Sequence, residues 1–251
     1  MRRDDLVKYL DDYLLVKTIE DSSNNGLQVE GALDVTRLAL AVDASLAAFE
    51  CAAESGAQML IVHHGLFWGK PVLVTGTHRC RLGQLFDANL SLYAAHLPLD
   101  FHPEVGNNAV LARWLKLEDI APFGDYKGSP AGYAGSLPAA VSLGDLVAQV
   151  ESALQEQVAT VWPFGSQMVR TVGIVSGGAA FLVGQAATAG VDVYLTGEVS
   201  HSYFHEAEEL KMNVVFGGHY ATETAGLKAL GAHLTAKFGL DVTFLDLPTG
   251  A

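Results

Sequence analysis

The chain has 251 residues, half of them hydrophobic and 17% charged, with a formal net charge of -13 and an isoelectric point near 5.0. That length and apolar content suffice for one large core or two smaller ones. The acidity disfavours sequence-independent attraction to nucleic acid or anionic membrane, which needs clustered lysine and arginine, although a locally positive, metal-lined pocket is still compatible with an anionic substrate.

Residues 5–16 read as an amphipathic helix with Leu6, Tyr9, Leu10 and Tyr13 on one face. The charged start MRRDDLVKYLDDYL lacks the apolar centre of a secretory leader, and no run of about 18 apolar residues follows, so a cytoplasmic protein is expected. EDSSNNGLQVEG breaks the helix, with Asn25-Gly26 as a turn signal and LQVEG as a short strand. TRLALAVDAS is a strand leading into a helix from about Leu46 to Ser55. MLIV is a continuous apolar strand of the kind that doubly covered parallel sheets use. KPVLVTGTHRCRLGQLFDAN reads as a loop and a helix, LSLYAAH as a third buried strand, and GNNAVLARWLKL as a further helix in which Asn108 caps or simply turns. Cys51 and Cys80 are too few for a disulfide framework and read as reduced thiols.

Between Glu118 and Ala139 the sequence is rich in Gly and Pro without an apolar period, so an irregular linker is expected there, separating a first domain (1–122) from a second (123–251). Beyond it come a helix near 142–155, strands at VATVW and TVGIV, and a second strand-helix-strand unit. A helix starting near Tyr220 carries Leu227, Leu230, Leu234 and Phe238 at three-to-four spacing. The closing DVTFLDLP reads as a strand, near 241–247, that can return to the first domain. The alternation of strands and helices gives an α/β fold class.

Three segments place ligand-type side chains at the ends of buried strands: AQMLIVHHG with His63 and His64, HLPLD with His96 and Asp100, and GGHYATE with His219 and Glu223. Neutral imidazole and carboxylate suit hard-to-borderline divalent ions, and the absence of thiolate argues against a structural zinc site of the cysteine type. Neighbours in a strand point to opposite faces, so an HH doublet serves one site only at a strand's carboxyl end, where HHG supplies the turn. His219 and Glu223 lie four apart and share a helical face, with Glu223 near the helix start where negative charge is favoured.

The two halves of the chain also echo one another. RLALAVDAS, an Ala-rich stretch and SGAQMLIVHHG run beside RTVGIVSGG, an Ala-rich stretch and TAGVDVYLTGE, and the alignment continues so that His96 falls beside His219 and Asp100 beside Glu223. Two related α/β domains from an internal duplication are therefore expected, with two half-sites that together supply about the ligands a dinuclear centre and its bridging water need. A single ion is the nearest rival, since three of these residues suffice for it. Glu198 occupies the position equivalent to His64 and is a candidate to touch the site or orient a ligand. His201, His205 and His102 read as solvated, with His102 close enough to Asp100 to meet a substrate. Ser176-Gly177-Gly178 resembles a strand-to-helix anion turn, which tight packing explains equally well.

Together NNGLQVEG, VHHGLFW, HLPLD followed by HPEVGNN, SGG, TGEVS and GHYATE resemble the YbgI-like or Nif-three-like dinuclear metal-centre proteins, whose members carry the name GTP cyclohydrolase I type 2 homologue. The likeness runs from about residue 20 to the C-terminus in order and spacing. It implies a toroidal homohexamer with two divalent metal ions per subunit, iron, zinc or manganese, in an interdomain cleft. Carried over by motif, His63 and Asp100 hold one ion, His64 and His219 the other, and Glu223 bridges both, while His96 is an additional ligand, an orienting group or the residue that moves protons. The stretch around Tyr126 is too short for the extra domain that some members insert, and Tyr220 stands where relatives can carry a further histidine. The implied reaction is hydrolysis of a nucleotide or other small molecule. A metal-binding or metal-delivery protein with no turnover is the alternative that the same ligands allow.

Overall fold

The computed structural model describes residues 1–250, and its apolar runs assemble into two mixed α/β units. The first comprises Met1–Val105 and Leu227–Leu247; the second comprises Gly106–Gly226 and the residues from Pro248. In chain order the elements are α1 (Arg3–Tyr13), β1 (Gly26–Val29), β2 (Arg37–Asp43), α2 (Leu46–Glu54), β3 (Met59–His64), α3 (Gly76–Asp87), β4 (Ser91–Ala94), α4 (Leu97–Asp100) and α5 (Asn107–Trp114). There follow β5 (Glu118–Tyr126), β6 (Ser129–Ser142), α6 (Leu143–Leu154), β7 (Thr160–Pro163), β8 (Met168–Ile174), α7 (Val183–Ala189), β9 (Val193–Thr196), α8 (Phe204–Glu209), β10 (Asn213–Phe216), α9 (His219–Phe238) and β11 (Asp241–Phe244). Among the described residues, no helix is long and apolar enough to cross a membrane.

The sheet of the first unit has the order β1-β4-β3-β2-β11, with β11, β2, β3 and β4 mutually parallel and β1 antiparallel at the edge. MLIV in β3 is buried along its whole length, because helices and loops cover both faces of this central strand. Ala39, Ala41, Phe49, Leu60, Val62, Leu85 and Leu92 form one side of the core. The Ser45 side chain accepts a hydrogen bond from the Ala48 amide at 3.1 Å and so caps α2, a contribution of about 1 kcal/mol. The parallel register sets Asp43 of β2 beside His64 of β3. Both lie at the carboxyl ends of their strands, where open α/β sheets present their functional groups.

The second unit has a sheet of order β5-β6-β8-β9-β10-β7, in which β8, β9 and β10 are parallel and the others antiparallel. Its core gathers Phe123, Trp162, Leu182, Tyr194, Val214 and Phe216. The segment expected to be an irregular linker is instead the hairpin β5–β6. Lys127 and Gly128 form its two-residue turn, both with positive φ (54° and 81°), the backbone pattern that suits a tight hairpin. The signal was hidden because β5 is exposed over Glu118–Pro122, so no apolar alternation is needed there, and because lysine rather than asparagine or aspartate takes the first left-handed position.

Candidate metal centre

In the first unit, His63, His64 and His96 come together: one ring nitrogen from each lies within 4.8 Å of those of the other two. The ring centroids are 4.7 Å apart for His63 and His64, 5.0 Å for His63 and His96, and 5.6 Å for His64 and His96. Asp100 on α4 joins them, with Oδ2 at 3.5 Å from His63 Nε2. His63 is fully buried and Asp100 nearly so. The Trp68 indole packs edge-on against His96 at 5.0 Å and donates to the Gly65 carbonyl at 2.8 Å.

What orients these rings is the partner of each Nδ1. His63 Nδ1 bonds the Ala95 carbonyl at 3.0 Å, His64 Nδ1 bonds Asp43 Oδ1 at 2.9 Å, and His96 Nδ1 lies 3.0 Å from both Asp21 carboxylate oxygens. A carbonyl or a carboxylate can only accept, so each Nδ1 carries a hydrogen, and in the neutral ring Nε2 is then the electron-pair donor. That is the arrangement in which outer carboxylates and carbonyls fix imidazole ligands.

The second unit repeats the pattern with one imidazole. His219, at the start of α9, bonds Glu198 Oε2 through Nδ1 at 2.8 Å and faces Glu223 Oε1 through Nε2 at 3.2 Å. Glu198 thus orients a candidate ligand. The hydrogen bond with Glu223, opposed by burial and helped by Glu198, pushes His219 up to about 9. A cation binding at this Nε2 therefore competes with a proton.

Gly177 has φ +66°, and a Cβ there would stand 2.2 Å from Glu223 Oε1. The position is glycine because the Glu223 carboxylate occupies the space of a side chain. The SGG segment is not an open anion turn: the Ser176 amide donates to Asn108 Oδ1 at 2.7 Å and the Gly177 amide to Thr222 Oγ1 at 3.0 Å. Asn108, fully buried, also donates to the Ala131 carbonyl and pins this turn.

The donor set fits divalent ions. Two donors on a tetrahedral ion with bonds of about 2.0–2.1 Å lie about 3.3 Å apart, close to the 3.5 Å of His63 and Asp100 and the 3.2 Å of His219 and Glu223. His201 and His205 are exposed, as expected. His102 corrects the sequence reading: it is buried, its Nδ1 accepts from the Glu104 and Val105 amides, and its Nε2 donates to the Tyr13 carbonyl. With both nitrogens engaged it is a structural residue.

Sequence reasoning missed Asp21, Asp43 and Asn25. Asp43 carried a faint signal, being an acid at the end of a strand that pairs with the His63–His64 strand. Asp21 carried none beyond belonging to a turn-forming run. Burial works to raise the Asp21 pKa, but hydrogen bonds from His96, Asn25 and the Ser23 amide outweigh it and hold this carboxyl well below the usual carboxylate range.

A two-unit α/β protein with imidazole and carboxylate donors at its strand ends is the class that fold and site define. The chain belongs to the Duf34/NIF3 (NGG1p interacting factor 3) family, whose sequence profile matches residues 1–249. It is 47% identical over 248 residues to a GTP cyclohydrolase 1 type 2 homolog of Deinococcus radiodurans, covering 99% of this chain and 94% of that one. Among solved structures it is similar to TTHA1606 from Thermus thermophilus, with TM-score 0.92, 46% identity and full coverage of both chains. Protein ybgI is similar too, with TM-score 0.94, 36% identity and full coverage of both chains.

Proposed function

We propose that the protein is a dinuclear metal-dependent hydrolase in which the half-sites of two duplicated domains combine across an interdomain cleft. His63 and Asp100 hold one divalent ion, His64 and His219 the other, and Glu223 serves both. The observation that carries this reading is that all four imidazoles have Nδ1 bonded to a carbonyl or carboxylate oxygen, while Nε2 of His63 and of His219 faces the carboxylates of Asp100 and Glu223. His102 differs in bonding only backbone groups through its two nitrogens.

Charge supports two ions over one. Asp21, Asp43 and Asp100 in the first unit and Glu198 and Glu223 in the second bring five carboxylates to the imidazoles, and of these the side chains of Asp21, Asp100 and Glu223 are buried. A single divalent ion would leave part of the charge of the buried three uncompensated in surroundings that penalise it, whereas two offset it.

When bound, the ions supply a water activated near neutral pH and polarise the bond under attack. The chain's residues do the remaining work: Asp43, Asp21 and Glu198 keep the imidazoles turned, and His96 offers Nε2 as a further metal ligand or as a proton acceptor. Trp68 packs against His96 and limits its movement. The names of the relatives suggest a nucleotide substrate of the GTP cyclohydrolase kind, and the subunits are proposed to form a homohexameric ring.

The test is anaerobic purification with metal analysis, then assay of the iron-, zinc- or manganese-loaded protein against GTP, phosphoesters and cyclic amides. Two ions per chain and turnover abolished by His64→Ala and by Glu223→Ala, with the fold retained, are expected. A protein that binds metal but is inert to the whole panel would mark it as a carrier, and one that takes up no metal would refute the site.

A further inference from the structure

Asp21 lies in the loop between α1 and β1, 75 positions from His96 in the sequence, and its side chain is only 2% exposed. Four donors converge on it: His96 Nδ1 at 3.0 Å, the Leu97 amide at 3.0 Å, Asn25 Nδ2 at 2.9 Å and the Ser23 amide at 3.1 Å. Asn25 Oδ1 accepts from the His96 amide at 2.8 Å. One loop therefore takes the imidazole N–H and both backbone amides at the turn that follows β4.

The same loop, with β1 that follows it, fastens the turn after β3. The Asn24 amide donates to the Phe67 carbonyl, Asn24 Oδ1 accepts from the Gly69 amide, and Gln28 accepts from the Leu66 amide at 2.7 Å. The segments that carry His64 and His96 are thus tied to a single piece of backbone. Holding two turns together needs only the amide contacts. The bond from Asp21 to His96 Nδ1 adds something different, because it selects which ring nitrogen carries the hydrogen.

We propose that Asp21 is a positioning residue that keeps His96 in the Nδ1–H form, with Nε2 turned toward His63 and His64 as an electron-pair donor. The assignment deepens the metal-centre reading and rests on it. Asparagine at this position keeps the size and one acceptor but replaces the other by an NH₂ group. That group favours the opposite tautomer, in which His96 presents an N–H where a cation needs a lone pair.

The experiment compares the full-length chain with Asp21→Asn, both carrying ¹⁵N-labelled histidine, first metal-free at alkaline pH and then titrated with zinc. His96→Gln serves to assign the His96 signals. The expected result is an Nδ1–H imidazole at His96 in the wild type, the Nε2–H form in Asp21→Asn, and zinc affinity lowered about 10–100-fold in the variant. A purely structural role would lower stability without exchanging the tautomers. An Nε2–H imidazole in the wild type would overturn the assignment without recourse to any variant, and so would an Asp21→Asn protein with unchanged tautomer and affinity. If the wild type takes up no zinc, the metal reading fails, while the metal-free spectrum still decides the role of Asp21.

Discussion

Gly177→Ala tests whether the room beside Glu223 is functional. The added methyl would stand 2.2 Å from Glu223 Oε1, 3.2 Å from its Cδ and 3.3 Å from His219 Nε2. The backbone has little freedom to retreat, because the Gly177 amide is bonded to Thr222 and its carbonyl accepts from the Gly197 and Glu198 amides at 2.9 and 3.0 Å. The Glu223 carboxylate, however, ends a jointed side chain and can swing away. The stability loss is therefore mainly the left-handed backbone term, about 1–2 kcal/mol, which corresponds to roughly 2–8 °C in unfolding midpoint for a chain of this size. The larger consequence falls on geometry: with its carboxylate displaced, the proposed centre loses the donor assigned to Glu223, and zinc affinity should fall by at least about tenfold. Gly178→Ala is the internal control. Its methyl meets nothing closer than Glu198 Oε2 at 3.4 Å, an ordinary contact, so both readouts should stay near the wild type. Thermal unfolding with and without zinc, together with a competition titration, measures both. Full zinc affinity in Gly177→Ala, or equal losses in the two variants, would refute the reasoning.

Asp43→Ala removes the acceptor on His64 Nδ1 at a half-exposed position, so zinc affinity should drop about 10–100-fold while the midpoint of the metal-free protein scarcely changes, as titration and thermal melts would show. Trp68 lies 5.0 Å from His96, and loading with cobalt or manganese should quench its emission; Trp68→Phe should remove most of that response, leaving the signals of Trp114 and Trp162. Burial works to raise the Asp192 pKa, but bonds from the Thr171 and Arg170 amides and the Thr171 hydroxyl overcome it and lower the value. Its stabilising contribution is thus fully present above the ordinary aspartate value of about 3.9 and is lost as pH falls through the lower folded value. Asp192→Asn should destabilise the protein near neutrality by about 1–2 kcal/mol and flatten the acid limb of a stability–pH curve measured by urea unfolding.

Much of the site was legible because its residues announce themselves locally. An HH doublet after four apolar residues can serve one place only where a strand ends, and two His-x-x-x-acid spacings belong to short turns or the first turn of a helix. The orienting acids were not legible, since their role depends on partners 21 positions away for Asp43, 21 for Glu198 and 75 for Asp21. Only the echo between the halves brought Glu198 into view. His102 was misjudged for the same reason: its polar neighbours in sequence suggest solvent, but α1 lies against it, with the Tyr13 ring at 4.4 Å. The hairpin β5–β6 escaped notice because an exposed strand rich in glycine and proline has no core-facing alternation to display.

The amino-acid sequence by itself determined the order of the buried strands and the main helices, though not the hairpin β5–β6, and the chemistry of the donors, because apolar periodicity and residue type act over a few neighbouring positions. Only the tertiary structure decided which nitrogen of each imidazole donates and why position 177 must lack a side chain. Those outcomes depend on parallel register, on a loop reaching across from another strand end, and on the space that one buried carboxylate takes up, and none of these is a property of a local stretch of chain.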